Sequence, residues 1–217
     1  MNHMLITWRG HSEFLLESAA GYRILTDPFD DHVGYPMRRV DADAALVSHG
    51  HGDHSYTEKI NGTPLVLNAP GRTELAEGVA VTSVEGFHDD EQGQKRGKTL
   101  LSLIEMDGLR LVHLGDLGCG LSEEQRELLN GPDILMIPVG GFFTIDGEAA
   151  ARICESLSPR VILPMHYKTR YNESWPITGP EPFLKALGGP EPVTVPLLRV
   201  TKEDISCQPR IVFFNLP

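Results

Sequence analysis

One short segment, residues 48–55 with the sequence SHGHGDHS, constrains this chain more than any other. It holds three of the nine histidines, together with one aspartate and two glycines. The preceding residues 41–48 (DADAALVS) end in an apolar run, which predicts a buried strand leading into the segment. If the chain stays extended after this strand, His49, His51 and Asp53 project to the same side.

The segment therefore predicts a metal site, with room for two adjacent ions. Gly50 and Gly52 permit unusual backbone angles and leave space for an ion. A turn into a helix after the aspartate would carry His54 to a neighbouring position. Imidazole and carboxylate suit zinc, with iron or manganese as alternatives. A purely structural polar loop would suit one isolated histidine better than this cluster.

The bulk composition is that of an ordinary globular protein. The chain has 217 residues, 41% hydrophobic and 23% charged, which suits one domain over residues 1–217. Its formal net charge of −11 argues against a nucleic acid polymer or an anionic membrane as the main partner, because both require a basic face.

The cysteines and the N-terminus indicate a cytoplasmic protein. Cys119, Cys154 and Cys207 are odd in number and form no CxxC pair, as expected of reduced thiols. The first residues (MNHMLITWRGHSEF) lack the apolar core of a signal peptide. No run approaches the ~20 apolar residues of a membrane helix.

The remaining pattern predicts strands first and then strand-loop-helix units. The helices are expected at 122–130, where Ser122 and Gln125 form a capping box, and at 146–157. Metal-capable side chains again follow predicted strands at Asp116 and His166. We therefore expect two packed sheets with outer helices and a site along one edge. The proline-rich region 175–196 is expected to be a surface excursion. The predicted strands cover 4–8, 13–18, 22–26, 41–48, 65–67, 79–84, 99–106, 109–114, 133–139 and 161–164.

The segment SHGHGDH resembles the HxHxDH signature of the metallo-β-lactamase superfamily. Later motifs follow in the family's order: GFHDD with His88, HLGDLG with Asp116 and LPMHYKT with His166. The runs TWRGHSEFLLE, ILTDPF and IPVGGFFTID resemble a bacterial branch of small, lactonase-like hydrolases. The similarity covers about residues 5–169.

This resemblance implies a four-layer αβ/βα sandwich of class α/β, with two mixed sheets and outer helices. It implies one ion held by His49, His51 and His88. It implies a second ion held by Asp53, His54 and His166, with Asp116 between the two.

The resemblance also bears on chemistry. Iron-dependent redox members generally replace the second histidine with an acidic residue, whereas this chain has His51, which favours hydrolysis. Zinc is the favoured ion, with Mn²⁺, Fe²⁺ or Ni²⁺ as alternatives. Many relatives of this branch carry His where this chain has Cys119; if that position shapes the substrate pocket, the substrate is expected to differ from theirs.

Charge near the site suggests an anionic substrate. Two divalent ions, two aspartates and a hydroxide would leave the site at about +1. Basic residues follow two of the ligands, and some of them could bind a phosphate or carboxylate. Solvated loop charges are the alternative. These residues are Lys95, Arg96, Lys98, Lys168 and Arg170.

Other polar residues have less certain roles. Asp27 is expected to support the histidine loop, and His113 to lie behind the ligands. His11 could line the cleft or stabilise its own turn. Tyr167 and Thr144 could donate to a developing oxyanion or simply pack.

The sequence thus predicts a metal-dependent hydrolase in which a dinuclear, metal-bridged hydroxide attacks a small ester, lactone or phosphoester. Asp53 and Asp116 are the predicted catalytic residues, Asp53 in proton movement and Asp116 in stabilising the ion pair. A non-catalytic metal-binding relative and a small-nucleotide phosphodiesterase are the alternatives.

Overall fold

The structure, a computed structural model, describes residues 3–208 and 210–217. In chain order the strands are β1 (Met4–Gly10), β2 (Glu13–Glu17), β3 (Arg23–Thr26), β4 (Val40–Asp41), β5 (Ala44–Leu46), β6 (Ile60–Asn61), β7 (Leu65–Leu67), β8 (Gly71–Ala76), β9 (Val79–Phe87), β10 (Lys98–Met106), β11 (Leu109–His113), β12 (Ile134–Pro138), β13 (Val161–Met165), β14 (Val193–Val195), β15 (Leu198–Val200) and β16 (Val212–Phe214). The α-helices are α1 (Gly52–Ser55), α2 (Glu123–Leu129), α3 (Gly147–Leu157) and α4 (Glu181–Ala186), and short 3₁₀ turns lie at Asp31–Val33, Thr57–Lys59 and Ile205–Cys207.

Two six-stranded mixed sheets form the framework. The first has the order β15-β1-β2-β3-β5-β7 and the second β13-β12-β11-β10-β9-β8. The first three strands form the predicted antiparallel start, and β5 then joins β3 in parallel. Two mixed sheets with helices on the outside confirm the predicted α/β sandwich.

The alternation of buried and partly exposed side chains along the strands shows which faces of the two sheets pack together. In β1, Met4, Ile6 and Trp8 are buried while their neighbours are partly exposed, as a strand with one core-facing side requires. These residues join a large apolar cluster that includes Leu103 and Met136 of the second sheet. The cluster holds the two sheets together and leaves their strand ends free to carry polar residues.

The outer face of the first sheet is covered mainly by short strands. A separate cluster there packs Leu25 and Ala45 of that sheet against Val40 of β4 and Ile60 of β6. Helices α2 and α3 instead connect strands of the second sheet, α2 between β11 and β12 and α3 between β12 and β13. Within the described residues, the single-turn α1 is therefore the only α-helix in the first half of the chain.

The capping residues define the two predicted helices. Ser122 and Gln125 form a reciprocal capping box at the start of α2, and the Asp146 side chain accepts from Ala149 N at the start of α3. Both helices therefore begin where the sequence predicts.

The expectation of a surface excursion at 175–196 is wrong in part. This region contains α4, whose Phe183 is fully buried, and β14, which pairs with β16. A Cβ on Gly147 would lie 2.4 Å from Phe183 N, so the missing side chain lets α4 pack directly on α3. The proline content concealed these contacts.

Candidate metal centre

The site lies at one edge of the two sheets because strands of one direction end there. Within the first sheet β1 and β3 are both antiparallel to β2, and β5 is parallel to β3. Within the second sheet β9 and β11 are both antiparallel to β10, and β13 runs with β11 through β12. Each of these strands delivers a polar residue just after its carboxyl end: His11 after β1, Asp27 after β3, His49 after β5, His88 after β9, Asp116 after β11 and His166 after β13.

The structure brings all seven sequence-predicted ligands together. In each of three groups, one donor atom per residue lies within 4.8 Å of the others. The groups are His49, His51 and His88; His49, His54 and Asp116; and His11, Asp53, His54 and His166. The first and third groups divide the predicted ligands as the two-ion scheme requires.

Asp116 lies between the groups. Its Oδ2 atom is 3.2 Å from His54 Nε2, 3.4 Å from His88 Nε2 and 3.3 Å from His166 Nε2. One carboxylate oxygen therefore contacts imidazoles that the scheme assigns to both ions. This is the position that a bridging carboxylate would need.

Asp27 holds the histidine segment from behind. Its buried carboxylate accepts from Ser48 N at 2.7 Å, from Ser48 Oγ at 2.8 Å and from His54 Nδ1 at 2.9 Å. Because His54 Nδ1 donates its proton to Asp27, His54 Nε2 is the ring nitrogen that would bind a cation. Asp27 thus contacts the segment as a supporting residue, in agreement with its predicted role.

Helix α1 gives His54 its direction. His51 is the residue before this helix, and the chain turns helical at Gly52. His54 is fully buried and points to Asp116, while His51 remains exposed and lies with its Nδ1 2.9 Å from His49 Nε2. The turn therefore separates His49 and His51 from Asp53 and His54, although the two pairs are adjacent in the sequence.

Burial and charge divide the histidines by protonation. Burial lowers the pKa of His11 to about 4 and that of His49 to about 3, so both are neutral at pH 7. Burial also opposes charge on His54, but the carboxylates of Asp116 and Asp27 raise its pKa well above the ordinary value. The nearby imidazoles hold the pKa of Asp116 well below its usual range despite its burial. In the metal-free cluster, His54 therefore carries a positive charge.

The donor set fits divalent cations. Among the described residues, some buried atoms of the cluster have no hydrogen-bond partner, including Asp116 Oδ1 and His166 Nε2. Such atoms are costly unless something binds them. Two atoms that bind one ion at about 2.1 Å lie roughly 3.0–3.4 Å apart, which matches the spacing around Asp116 Oδ2. Imidazole and carboxylate donors suit zinc and the neighbouring transition metals.

Glycine at 118 permits close approach of the loops that carry His88 and Asp116. A Cβ there would lie 2.3 Å from the His88 carbonyl carbon, and Gly118 N donates to Phe87 O at 2.8 Å. The motif HLGDLG therefore carries a packing requirement in addition to its aspartate.

Asp89 organises the loop after His88. Its two carboxylate oxygens accept from four backbone N–H groups, at Glu91, Gly93, Lys95 and Arg96. These bonds lower its pKa to about 2. They also fold the loop so that the Arg96 side chain reaches the site.

A cavity of about 280 Å³ opens onto the cluster. Arg96, Phe143 and Trp175 form its walls together with five of the predicted ligands. Arg96 has its guanidinium carbon 5.9 Å and 5.8 Å from the ring centres of Phe142 and Phe143. Among the described residues its side chain has no ion-pair partner.

The other predicted anion-binding residues are engaged elsewhere or lie outside this cavity. Lys95 pairs with Glu91 at 2.6 Å and Lys98 with Glu85 at 2.7 Å. The Arg170 guanidinium donates to Tyr171 Oη at 3.0 Å. Lys168 is absent from the lining. Arg96 is therefore the one of the five that faces the metal cluster.

Several other sequence candidates do not face the cluster. His113 Nε2 donates to Ser12 O at 3.1 Å, and Tyr167 stacks on Trp8 with 5.7 Å between ring centres. Thr144 Oγ1 donates to Ile145 O. Cys119 lines a second cavity of about 330 Å³ that shares Arg96 and Phe143 with the first, and burial raises the pKa of its thiol. We assign none of the four to the chemistry.

Two residues at the site were missed or left undecided. Trp175 lies in the region expected to be an excursion, and its proline-rich surroundings hid its role. His11 turns its Nε2 to within 3.2 Å of both Asp53 Oδ2 and His54 Nε2. The only sequence signal for His11 was its place in a predicted hairpin turn.

Comparison with known proteins identifies the family of the chain. The family model described as the β-lactamase superfamily domain matches residues 5–166 of this chain. A Thermotoga maritima structure, described as a candidate zinc-dependent hydrolase of the metallo-β-lactamase superfamily, is 34% identical and covers 98% of each chain, with a TM-score of 0.79. The chain therefore belongs to the metallo-β-lactamase superfamily.

Two further relatives narrow the assignment. An Archaeoglobus fulgidus protein is 32% identical over 85% of this chain and 90% of its own length. A Nitratidesulfovibrio vulgaris protein is 34% identical over 76% and 80%. Both are named UPF0173 metal-dependent hydrolase, and within the superfamily this chain is a member of that group of hydrolases.

Residues 3–208 and 210–217 contain no helix that combines the length and apolar character needed to cross a membrane.

Proposed function

We propose that the chain is a dinuclear metallo-hydrolase of small, anionic esters, lactones or phosphoesters. The observation that carries this proposal is the convergence of seven donor residues, Asp116 among them, at one edge of the two sheets. One ion would be held by His49, His51 and His88, and the other by Asp53, His54 and His166, with Asp116 shared. Zinc is the proposed ion, since the donors are imidazole and carboxylate.

When bound, two divalent ions supply Lewis acidity and a hydroxide nucleophile at neutral pH. The protein residues supply position and charge. Asp27 keeps His54 in the required tautomer through the 2.9 Å contact to Nδ1. Asp53 keeps a quarter of its side chain exposed to the cavity, so it could take the proton of the nucleophile after attack and pass it to the leaving group. Asp116 would supply negative charge to the ions that these residues hold.

Cavity size and charge support the substrate class. A volume of about 280 Å³ is near the lower end of ligand sites, so the substrate is small. Phe143 and Trp175 provide an apolar wall, and Arg96 provides a cation that has no carboxylate partner in the part of the chain that the structure describes. A guanidinium at this position would bind a phosphate or carboxylate of the substrate.

Metal analysis combined with a panel of chromogenic phosphodiesters, lactones and esters tests the proposal. We expect two ions per chain and turnover of at least one small member of the panel. Stoichiometric metal without turnover would instead support the non-catalytic alternative. Turnover restricted to nucleotide phosphodiesters would support the nucleotide phosphodiesterase alternative.

The Arg96→Met variant tests the substrate charge. Loss of a charged hydrogen bond costs about 1.5–3 kcal/mol, so KM for an anionic substrate should rise at least about 10-fold while KM for a neutral analogue changes little. Lys98→Met is the matched control, because Lys98 is exposed and already paired with Glu85. An unchanged KM in Arg96→Met would reject the anion-binding role.

The free state of all three cysteines and the net charge of −11 support a cytoplasmic protein that does not bind a nucleic acid polymer or a membrane. We include this location and these partners in the proposal.

A further inference from the structure

His11 is the group at the centre that the two-ion scheme leaves without a role. It occupies the turn between β1 and β2 in a left-handed conformation, with φ at 52°. A residue other than glycine rarely adopts this conformation, and such strain concentrates at functional sites. Its ring is fully buried. The backbone is also held, because His11 O accepts from Trp8 Nε1 at 3.0 Å and from His166 N at 3.2 Å.

The contacts of His11 Nε2 resemble edges of a coordination polyhedron. It lies 3.2 Å from Asp53 Oδ2 and 3.2 Å from His54 Nε2, which are themselves 3.4 Å apart. Ligand atoms at about 2.1 Å from a single ion have this mutual spacing. Hydrogen bonds among these atoms would need separate protons on His11 Nε2 and on His54 Nε2, whereas one cation could bind all three atoms.

We propose that His11 is a direct ligand of the second ion, together with Asp53, His54 and His166. This inference rests on the proposed dinuclear function and adds a residue to it. Counting Asp116, the second ion would then have five protein donors, and the first would have four. Zinc prefers four ligands, whereas Mn²⁺, Fe²⁺ and Ni²⁺ accept six. The second position would therefore have room for a six-coordinate ion as well as for zinc.

Metal titration of His11→Gln tests the proposal. The first equivalent of Co²⁺ should bind as in the wild type, and the second at least about 10-fold more weakly. The visible absorption of the second equivalent should increase, because Co²⁺ absorbs more strongly when its coordination number falls. His32→Gln is the matched control: it removes an exposed histidine from a surface group with Asp30 and Asp31 and should leave both equivalents unchanged.

A measurement on the wild type does not depend on how the variants fold. With ¹⁵N-labelled histidine and ¹¹³Cd²⁺, the number of imidazoles coupled to cadmium should be six, comprising His11 and the five predicted ligands, His49, His51, His54, His88 and His166. Five coupled imidazoles, with His11 uncoupled, would overturn the proposal and leave His11 as a hydrogen-bond donor to Asp53. The same conclusion would follow if His11→Gln bound both Co²⁺ ions within about two-fold of the wild type.

The outcomes also separate this inference from the proposed function. If the wild type bound two ions and only the His11 result failed, the dinuclear function would stand and the ligand assignment would fall. A wild type that took up no metal would reject both.

Discussion

The Asp27→Asn substitution would remove the support of the histidine segment while keeping its shape. In the native structure Asp27 Oδ1 accepts from Ser48 N, and Oδ2 accepts from Ser48 Oγ and from His54 Nδ1. An asparagine can retain the first bond through its carbonyl oxygen. Its amide nitrogen would then face His54 Nδ1–H, so two donors would point at each other.

The expected loss of metal affinity follows from the contact between residue 27 and His54 Nδ1. The Ser48 hydroxyl can rotate and accept a proton, but the His54 ring must either lose its bond or move its proton to Nε2, the atom that faces Asp116. A hydrogen bond to a buried charge contributes about 1.5–3 kcal/mol. The second ion should therefore bind about 10- to 150-fold more weakly, while the first ion is affected less.

Chelator competition with Zn²⁺ or Co²⁺ measures both affinities. Asp43→Asn is the matched control, since Asp43 also accepts from a backbone N–H, at Arg23, but does so at the exposed surface. The control should bind both ions as the wild type does. Two unchanged affinities in Asp27→Asn would refute the view that Asp27 sets the tautomer of His54.

Three further predictions concern metal, pH and packing. Removal of metal by a chelator should lower the free energy of unfolding, by about 2.7 kcal/mol if the free ion had been present at 100 times its Kd; equal urea midpoints with and without metal would contradict ion binding to the folded chain. The backbone bonds to Asp89 hold its pKa at about 2, below the unfolded value of 3.8, so its stabilising contribution is full above 3.8 and is lost as the pH falls towards 2. The Asp89→Asn variant should accordingly have a lower urea midpoint than the wild type at pH 7, and the two midpoints should approach each other near pH 2. A difference between the midpoints that does not change with pH would count against this linkage. Gly118→Ala should destabilise the chain by about 1–3 kcal/mol, because its Cβ would overlap the His88 backbone; an unchanged thermal midpoint would show that the loops can separate.

Much of the fold could be predicted because its signals are local. The hairpin start, the buried strand before residue 48 and the helices α2 and α3 have clear apolar alternation or capping residues. The short strands β14, β15 and β16 and the helix α4 were not predicted. Their stability comes from distant partners, such as Val212 for Val193, and from the seating of Phe183 against Gly147.

The candidate site divides in the same way. The spacing HxHxDH makes metal binding recognisable, because side chains two apart in an extended segment must share a side. Arg96 could not be distinguished from Lys95 or Lys98 in one polar loop. The four backbone bonds to Asp89 are what turn its side chain towards the cavity.

The sequence by itself therefore determined the chemistry of the ligands and the class of protein, since both depend on residue type and short spacing. Only the tertiary structure decided that His11 faces Asp53 and His54, and that Trp175 and Arg96 form the walls of the cavity. The physical reason is that these contacts join separate strand ends and loops, up to 164 positions apart between His11 and Trp175. Packing of the two sheets brings these residues together, and no local sequence pattern indicates a contact between residues so far apart in the chain.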